Sequence, residues 1–227
     1  MNLLQRFRLA RARRKCRLPL QAALLHEPLP SPGTRVSELE IVALDFETTG
    51  LDVQRDRIIA AGWVLLRGDR ILMASAREMR VCNGGAEGVG QSAVIHGITD
   101  SDLEEGASIE ALLERLLPDL AGRAIAAHAV TIERGFLAAL LRRLGGVPLP
   151  NPFIDTMGLE RRLVEGGGGS VRELHGDLTL EACRARRQLP DHQRHSAGAD
   201  ALACAELLLA QVAELGGAER VKLRELT

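Results

Sequence analysis

The chain has 227 residues, of which 46% are hydrophobic and 26% are charged, with a formal net charge of −1. This composition is typical of a globular protein and excludes a wholly disordered or fibrous one. No apolar stretch is long enough to predict a membrane span or signal peptide, and no cysteine pair has the spacing of a zinc ribbon or a disulfide framework. We therefore expect a protein of the reducing cytoplasm with no membrane partner.

The charge is unevenly distributed along the chain. Residues 1–40 carry eight basic and three acidic residues, a balance of +5, so residues 41–227 carry −6. Such asymmetry favours a basic segment that meets phosphate or another anionic surface, although a solvated segment without a specific partner fits equally. We predict a basic N-terminal arm and proline-rich linker over residues 1–36, a globular domain over 37–216 and a tail over 217–227.

The elements are predicted in chain order from periodicity and end signals. A short amphipathic helix over residues 1–17 ends before Pro19, and an apolar run over 41–44 indicates a buried strand. Runs over 58–66 and 71–80 flank a turn and indicate a hairpin. A helix begins after Ser108 and ends at Pro118, a strand covers 124–127, and helices follow over 132–144, from 156, over 179–188 and over 199–215. This order predicts an α/β fold: a mixed sheet with antiparallel edge strands and helices on both faces.

Two carboxylates stand at the end of the first strand. Asp45 and Glu47 are two residues apart, so both side chains leave the strand on one face. They repel each other unless a cation lies between them, and oxygen ligands suit Mg²⁺ or Mn²⁺. The pair alone is a weak indication of a metal site.

The sequence around this pair resembles a known motif, and further motifs follow in order. Residues 45–50, DFETTG, resemble the first motif of the DEDD superfamily of 3′-to-5′ exonucleases, which includes the proofreading epsilon subunit of bacterial DNA polymerase III. Residues 94–99, VIHGIT, look like a segment of epsilon-like members. Residues 127–137, AHAVTIERGFL, are similar to the second motif, and residues 195–201, HSAGADA, match the third. Ordered motifs are far more specific than any one of them.

The resemblance implies a ribonuclease H-like fold and a role for each matching residue. It implies four ligands for two divalent ions, Mg²⁺ or Mn²⁺, and the histidine-type general base His195; the ligands are Asp45, Glu47, Glu133 and Asp200. Candidate substrate contacts are Phe46, Thr48, Thr49, Leu51, His96 and Phe136. Two of these have alternatives: Leu51 is either a wedge under the terminal base or a core residue, and His96 either contacts substrate or packs. His192 is interpreted as a surface loop histidine.

The chain departs from the family pattern at two positions of the second motif. Glu133 replaces the usual aspartate and is one methylene longer, and Ala129 replaces the usual asparagine. Since Mg²⁺ tolerates little geometric error, we expect weaker metal binding or a preference for Mn²⁺. Asp155, next to Thr156, resembles a segment that is usually structural in the family.

The predicted function is a metal-dependent 3′-to-5′ exonuclease that releases nucleoside monophosphates from single-stranded or frayed 3′ ends, with DNA favoured because the motifs look epsilon-like. Two alternatives stay open: an RNA or oligoribonucleotide exonuclease, and a catalytically weakened subunit that binds nucleic acid or a polymerase. Four Phe, one Trp and no Tyr make an extended stacking platform for a single strand improbable. A polymerase or repair protein is the expected protein partner.

Overall fold

The computed structural model describes residues 3–82, 106–166, 177–192 and 196–227, without the side chains of residues 3–5 and 8. Five strands lie in this part of the chain: β1 (Glu40–Thr48), β2 (Ile58–Arg67), β3 (Arg70–Arg80), β4 (Ala124–Ala127) and β5 (Phe153–Asp155). Its helices are α1 (Leu3–Lys15), α2 (Pro19–Leu24), α3 (Ile109–Leu120), α4 (Thr131–Arg143), α5 (Thr156–Gly166), α6 (Leu180–Arg186), α7 (Ala197–Glu214) and α8 (Leu223–Leu226). None of these helices is both long and apolar enough to cross a bilayer.

The strands form one mixed sheet in the order β3-β2-β1-β4-β5. Strands β1, β2 and β3 pair antiparallel, whereas β4 and β5 run parallel to β1. The predicted hairpin and the predicted mixed α/β sheet are confirmed. The fifth strand was not predicted, because its three residues follow Pro152 and are too few to show an alternating pattern.

The two faces of β1 pack against different helices. Ile41 and Ala43 belong to a core cluster with Ala205 and Leu208 of α7. The alternate residues Val42, Leu44 and Phe46 belong to a second cluster, with Leu116 of α3 and Leu137 of α4. Because side chains alternate along a strand, Asp45 and Glu47 continue the face that α7 covers. This alternation determines which helix meets the two carboxylates.

One helix prediction at a proline was wrong, and one helix that begins with a proline was missed. The third helix does not end at Pro118 but continues to Leu120. Proline costs only one backbone hydrogen bond there, while Leu117 and Leu120 on either side are buried in the core and keep the last turn helical. The second helix, α2, was not predicted, and it begins with Pro19, at a position where the missing N–H would have no partner within the helix.

The N-terminal helices pack on the sheet domain. Gln21 of α2 is fully buried, and its amide donates to the carbonyl of Val147 at 2.6 Å and accepts from the Val147 N–H at 2.8 Å. Leu9 of α1 and Leu25 after α2 are also buried. At the other terminus, Leu223 and Leu226 of α8 lie in the core. Domain boundaries at residues 36 and 216 stay a prediction.

Candidate metal centre

Three carboxylates from two elements meet at one end of the sheet. Asp45 and Glu47 lie near the end of β1, and Asp200 lies in the first turn of α7. One carboxylate oxygen of each lies within 4.8 Å of the others. The spacing is close enough for a single cation to contact all three. The site is thus assembled from the first and third motifs, which stand about 150 residues apart in the chain.

A glycine allows α7 to approach the sheet at this point. Gly62 of β2 pairs with Asp45, and a Cβ atom at Gly62 would lie 2.0 Å from the carbonyl carbon of Ala197. Any side chain would therefore push the start of α7 away from the strands. Ser196 caps the helix by accepting from the Ala199 N–H at 3.4 Å. Close packing and the cap together bring Asp200 over β1.

Glu133 approaches the same site from α4. It lies in the first turn of that helix and is buried, with 3% exposure. Its Oε2 atom has no hydrogen-bond partner among the described residues, although a buried carboxylate oxygen normally has one. Glu133 stands outside the group of three oxygens within 4.8 Å. The unpartnered oxygen fits a ligand for a divalent cation, because such an ion would supply the missing interaction.

The electrostatic environment of these carboxylates opposes their ionisation. Burial, followed by the charges of Glu133, Glu47 and Asp200, raises the pKa of Asp45 well above its usual value. Burial and then Asp200 and Glu78 raise the pKa of Glu47 to about 7. Burial is also the main reason that the pKa of Glu133 is raised to about 8. Without a cation the site holds more negative charge than its surroundings stabilise.

The loop after β1 is held by its own threonine hydroxyls. A register shift follows Glu47, at the point where the strand ends. The hydroxyl of Thr48 donates to the carbonyl of Gly50 at 2.7 Å, and that of Thr49 donates to the carboxylate of Asp56 at 3.0 Å. Leu51 on this loop is 76% exposed, so its interpretation as a core residue was wrong. An exposed leucine beside the carboxylates is available to contact a substrate base.

The other substrate-contact candidates differ in their positions. Phe46 and Phe136 are buried at 6% and 3% exposure in the same core cluster, so only a small part of each ring faces outward. His96 and the general-base candidate His195 lie outside the described residues. Their roles remain those implied by the motifs.

Two residues near the carboxylates were missed by the sequence analysis. The Nε2 atom of His192 lies 2.7 Å from Oδ1 of Asp200, and its side chain is only 13% exposed, so its interpretation as a surface histidine was wrong. Glu78 of β3 accepts from the Ser196 hydroxyl at 2.7 Å and contributes to the raised pKa of Glu47. The only sequence signal was the position of His192 three residues before His195; nothing in the β3 pattern marked Glu78.

The second motif also contributes a structural framework. His128 bonds through its two ring nitrogens to the hydroxyl of Thr156 at 2.9 Å and the carbonyl of Leu178 at 2.7 Å. Burial lowers its pKa. The N–H of Ala129 donates to Asp155, which also accepts from the Met157 N–H at the start of α5. These contacts fit the structural role expected of Asp155.

Ala129 adopts a conformation that alanine disfavours. Its φ is 61°, in the left-handed region, where asparagine is tolerated better than alanine. The asparagine that is usual at this position of the motif would therefore suit the backbone as well as supply a polar group. Alanine leaves local strain directly before α4.

The fold and the site define an α/β protein whose central strand ends in a carboxylate-rich site formed with two helices. Comparison with known proteins gives the family. Residues 42–208 match the family model described as Exonuclease, and the chain belongs to this exonuclease family. The match confirms the resemblance to DEDD-type 3′-to-5′ exonucleases that the motifs indicated, and with it the predicted enzyme class.

The curated relatives are much longer proteins. The DNA polymerase III PolC-type of Thermotoga maritima is 32% identical over 167 residues, which cover 71% of this chain and 12% of the polymerase. The corresponding polymerase of Thermotoga petrophila is 33% identical over 156 residues, covering 66% of this chain and 11% of that protein. The chain therefore corresponds to a small part of those polymerases.

Solved structures share the fold at low sequence identity. A zinc-bound complex of E. coli ExoI with single-stranded DNA aligns with a TM-score of 0.67 and 14% identity, covering 78% of this chain and 41% of the other. A complex of E. coli Exonuclease I with a dA16 oligonucleotide aligns with a TM-score of 0.66, 13% identity and the same coverage. This likeness confirms the predicted ribonuclease H-like fold.

Proposed function

We propose that this protein is a metal-dependent 3′-to-5′ exonuclease that releases nucleoside monophosphates from single-stranded or frayed DNA ends. The observation that carries the proposal is the convergence of Asp45, Glu47 and Asp200, whose carboxylate oxygens lie within 4.8 Å of one another in a member of the exonuclease family. Raised pKa values at Asp45 and Glu47 support it, because burial and neighbouring carboxylates both oppose ionisation there and a cation would relieve this.

Asp45, Glu47, Asp200 and the buried Glu133 are the residues that would hold two divalent cations, Mg²⁺ or Mn²⁺. When bound, the ions would ready a water molecule for attack and stabilise the oxygen that leaves the scissile phosphate. The hard oxygen donors exclude a preference for softer metals. Burial raises the pKa of Glu47 to about 7 and that of Glu133 to about 8, so cation binding near neutral pH would release protons from these two carboxyls.

The remaining residues would place the substrate and move the proton. His195, from the third motif, would accept the proton of the attacking water, since an imidazole with an ordinary pKa near 6.5 is suited to that task at neutral pH. Leu51 would contact the terminal base from its exposed position on the loop. Hydrogen bonds of the Thr48 and Thr49 hydroxyls, to the Gly50 carbonyl and from the Arg57 N–H, hold the conformation of this loop.

DNA is proposed over RNA on two grounds. The motifs look epsilon-like, and the solved structures with the same fold include complexes with single-stranded DNA and with a dA16 oligonucleotide. The polymerase relatives support association with a DNA polymerase. An RNA exonuclease and a binding subunit without activity are the outcomes against which the proposal is tested.

The test is hydrolysis of a single-stranded DNA 20-mer labelled at its 5′ end. With Mg²⁺ or Mn²⁺ we expect a ladder that shortens from the 3′ end and a nucleoside monophosphate product, and EDTA should stop it. An RNA 20-mer of the same sequence should be cleaved more slowly. A protein that binds the DNA but yields no product with either ion would be a binding subunit, and faster cleavage of RNA would reassign the substrate.

Two sets of variants test the assigned roles. His195→Ala should lower turnover by about 100-fold and remove the acidic limb of the pH profile, whereas His192→Ala should lower turnover less.

Mn²⁺ should support faster hydrolysis than Mg²⁺. Glu133→Gln should be nearly inactive with both ions, and Glu133→Asp should also lose activity if the site is adapted to the longer side chain. Wild-type rates in Glu133→Gln would remove Glu133 from the ligand set.

A further inference from the structure

A basic cleft lies between α1, α4 and the segment before β5. It has a volume of about 390 Å³ and is lined by Arg11, Lys15 and Arg134 together with Ala12 and residues 147–151. Its lining contains three cations and no acidic residue. All three side chains are exposed, and within the described residues none of the three has an ion-pair or hydrogen-bond partner. The charges are therefore available to an anion that enters the cleft.

The first wall of the cleft is held in place by specific contacts. The N–H of Arg17, just after α1, donates to the carbonyl of Gly145 at 2.8 Å. Arg13 donates to the carbonyl of Leu25 at 2.9 Å, and Leu9 is buried at 2% exposure. Arg11 and Lys15 are four residues apart on this helix, so they lie on one face. The basic helix thus presents a fixed pair of cations rather than a free tail.

The second wall connects the cleft to the carboxylate site. Arg134 directly follows Glu133 on α4, and its guanidinium lies over the ring of Phe153, 5.5 Å from the centroid. Phe153 is two residues before Asp155 on β5, a separation of about 6.6 Å along a strand. Asp155 in turn contributes to the raised pKa of Glu133. The cleft therefore begins at the residue after Glu133 and extends from there toward the start of β5.

Another arginine-lined cleft differs from this one in its charge balance. At the turn between β2 and β3, Arg67, Arg70 and Arg220 share a cleft with Asp69 and Glu219. Acidic neighbours there reduce the attraction for a polyanion. Without bound cations the carboxylate site repels phosphate, so a strand that enters it gains from positive charge elsewhere along its length. The cleft of α1 supplies such charge, starting at Arg134, which follows Glu133 in the chain.

We propose that this cleft binds the phosphate backbone of the single strand whose 3′ end enters the carboxylate site. Arg11 and Lys15 of the first helix and Arg134 of α4 contact successive phosphates, and the ring of Phe153 supports the guanidinium of Arg134. This inference deepens the proposed function, on which it rests. It assigns to the basic N-terminal segment the binding of strands that extend beyond the terminal nucleotides.

The test is binding of fluorescein-labelled dT20 in EDTA, measured by anisotropy over a series of NaCl concentrations, which needs no catalytic activity. Arg11→Gln/Lys15→Gln should weaken binding about tenfold and make the salt slope shallower by about 1.4, from two contacts at about 0.7 each. Glutamine keeps the helix propensity. The matched control, Arg70→Gln/Arg220→Gln, removes the same charge from the cleft at the β2–β3 turn, on the opposite edge of the sheet, and should change the affinity less than about twofold.

Arg134→Gln tests the other wall should the double variant fail to fold, and it should reduce the slope by about 0.7. Three results would overturn the proposal. These are equal weakening in the cleft and control variants, no weakening in the cleft variants, and binding to phosphatidylserine vesicles without binding to dT20. Hydrolysis of the labelled 20-mer by the same protein preparations, with Mn²⁺ in place of EDTA, separates the two inferences. Cleavage with unchanged binding in the variants refutes only the cleft, and cleft-dependent binding without cleavage refutes only the exonuclease.

Discussion

Buried carboxylates occur in two regions of this protein, and the charges that surround them have opposite signs. The side chain of Glu160 on α5 is 1% exposed and bonds to Arg186, Arg187 and Gln211. Burial alone would raise the pKa of Glu160, but hydrogen bonds from Arg187, Gln211 and Arg186 hold it below its usual value. At the end of β1, burial and like charges raise the pKa values of Asp45, Glu47 and Glu133 instead.

The difference separates a structural carboxylate from a functional group of carboxylates. Glu160 has its counter-charges within the chain, so it needs nothing from solution. Asp45 and Glu133 pair with no arginine or lysine in the described part of the chain, and an uncompensated buried charge costs stability. A cation from solution would compensate them. Changing one carboxylate at a time in each region tests this difference.

The largest effect is expected at the carboxylate site. Asp45→Asn should reduce nuclease activity by about 1,000-fold, which corresponds to about 4 kcal/mol of transition-state stabilisation. Its metal-free thermal stability should be unchanged or higher, because one of several mutually repelling charges is removed. Activity is measured on the labelled 20-mer and stability by thermal unfolding in EDTA. More than about a tenth of the wild-type activity in a folded sample would contradict the assignment of Asp45.

At Glu160 we expect the converse, namely that removal of the charge lowers stability. Glu160→Gln leaves Arg186 and Arg187 facing a neutral group, and loss of one partner in such a buried network costs about 3 kcal/mol. Urea unfolding measures this loss. Glu40→Gln is the control, since Glu40 also pairs with two arginines but is about one-third exposed; it should cost less than about 1 kcal/mol. Equal losses in both variants would show that burial of the ion pairs does not matter.

A third expectation concerns pH and metal. Because the pKa of Glu47 is raised to about 7 and that of Glu133 to about 8, the folded state binds their protons more tightly than the unfolded chain does. This contribution to stability is complete below about pH 4.5 and is lost as pH rises through 7 and 8.

Metal-free wild type should thus lose about 1.4 kcal/mol more stability than Glu47→Gln between pH 6 and 8.5. The difference between the two proteins isolates Glu47 from other titrating groups. Addition of Mn²⁺ at pH 8 should restore the wild type more than the variant. Identical pH curves in EDTA would contradict the raised pKa of Glu47.

The smallest effect is expected at Ala129, which borders the carboxylate site. Its φ of 61° is strained for alanine, so Ala129→Gly should raise stability by about 0.5 kcal/mol after the entropic cost of glycine. Ala138→Gly, in the regular part of α4, should lower stability by about 1 kcal/mol. Chemical denaturation compares the two. A loss of stability in both variants would mean that the backbone at Ala129 is not strained.

Local patterns were enough to predict most of the fold. Strict alternation in β1 placed Asp45 and Glu47 on one face, and the two apolar runs around residues 67–70 predicted the hairpin. Ser108 and the periodic leucines after it predicted the start of α3, which Ser108 caps by accepting from the Ala111 N–H. These features depend on neighbours within a few residues, so the sequence carries them directly.

Contacts between distant segments were decided by tertiary packing. Which carboxylates meet depends on the close approach of α7 over Gly62, and the role of His192 depends on where α7 begins, neither of which has a local signal. The docking of α2 depends on Gln21, whose amide is satisfied by the backbone of Val147 far along the chain. By itself the sequence determined the four longer strands, the cap of α3 and the order of the motifs. The tertiary structure decided which side chains share a site, because burial and charge compensation arise only when separate elements pack together.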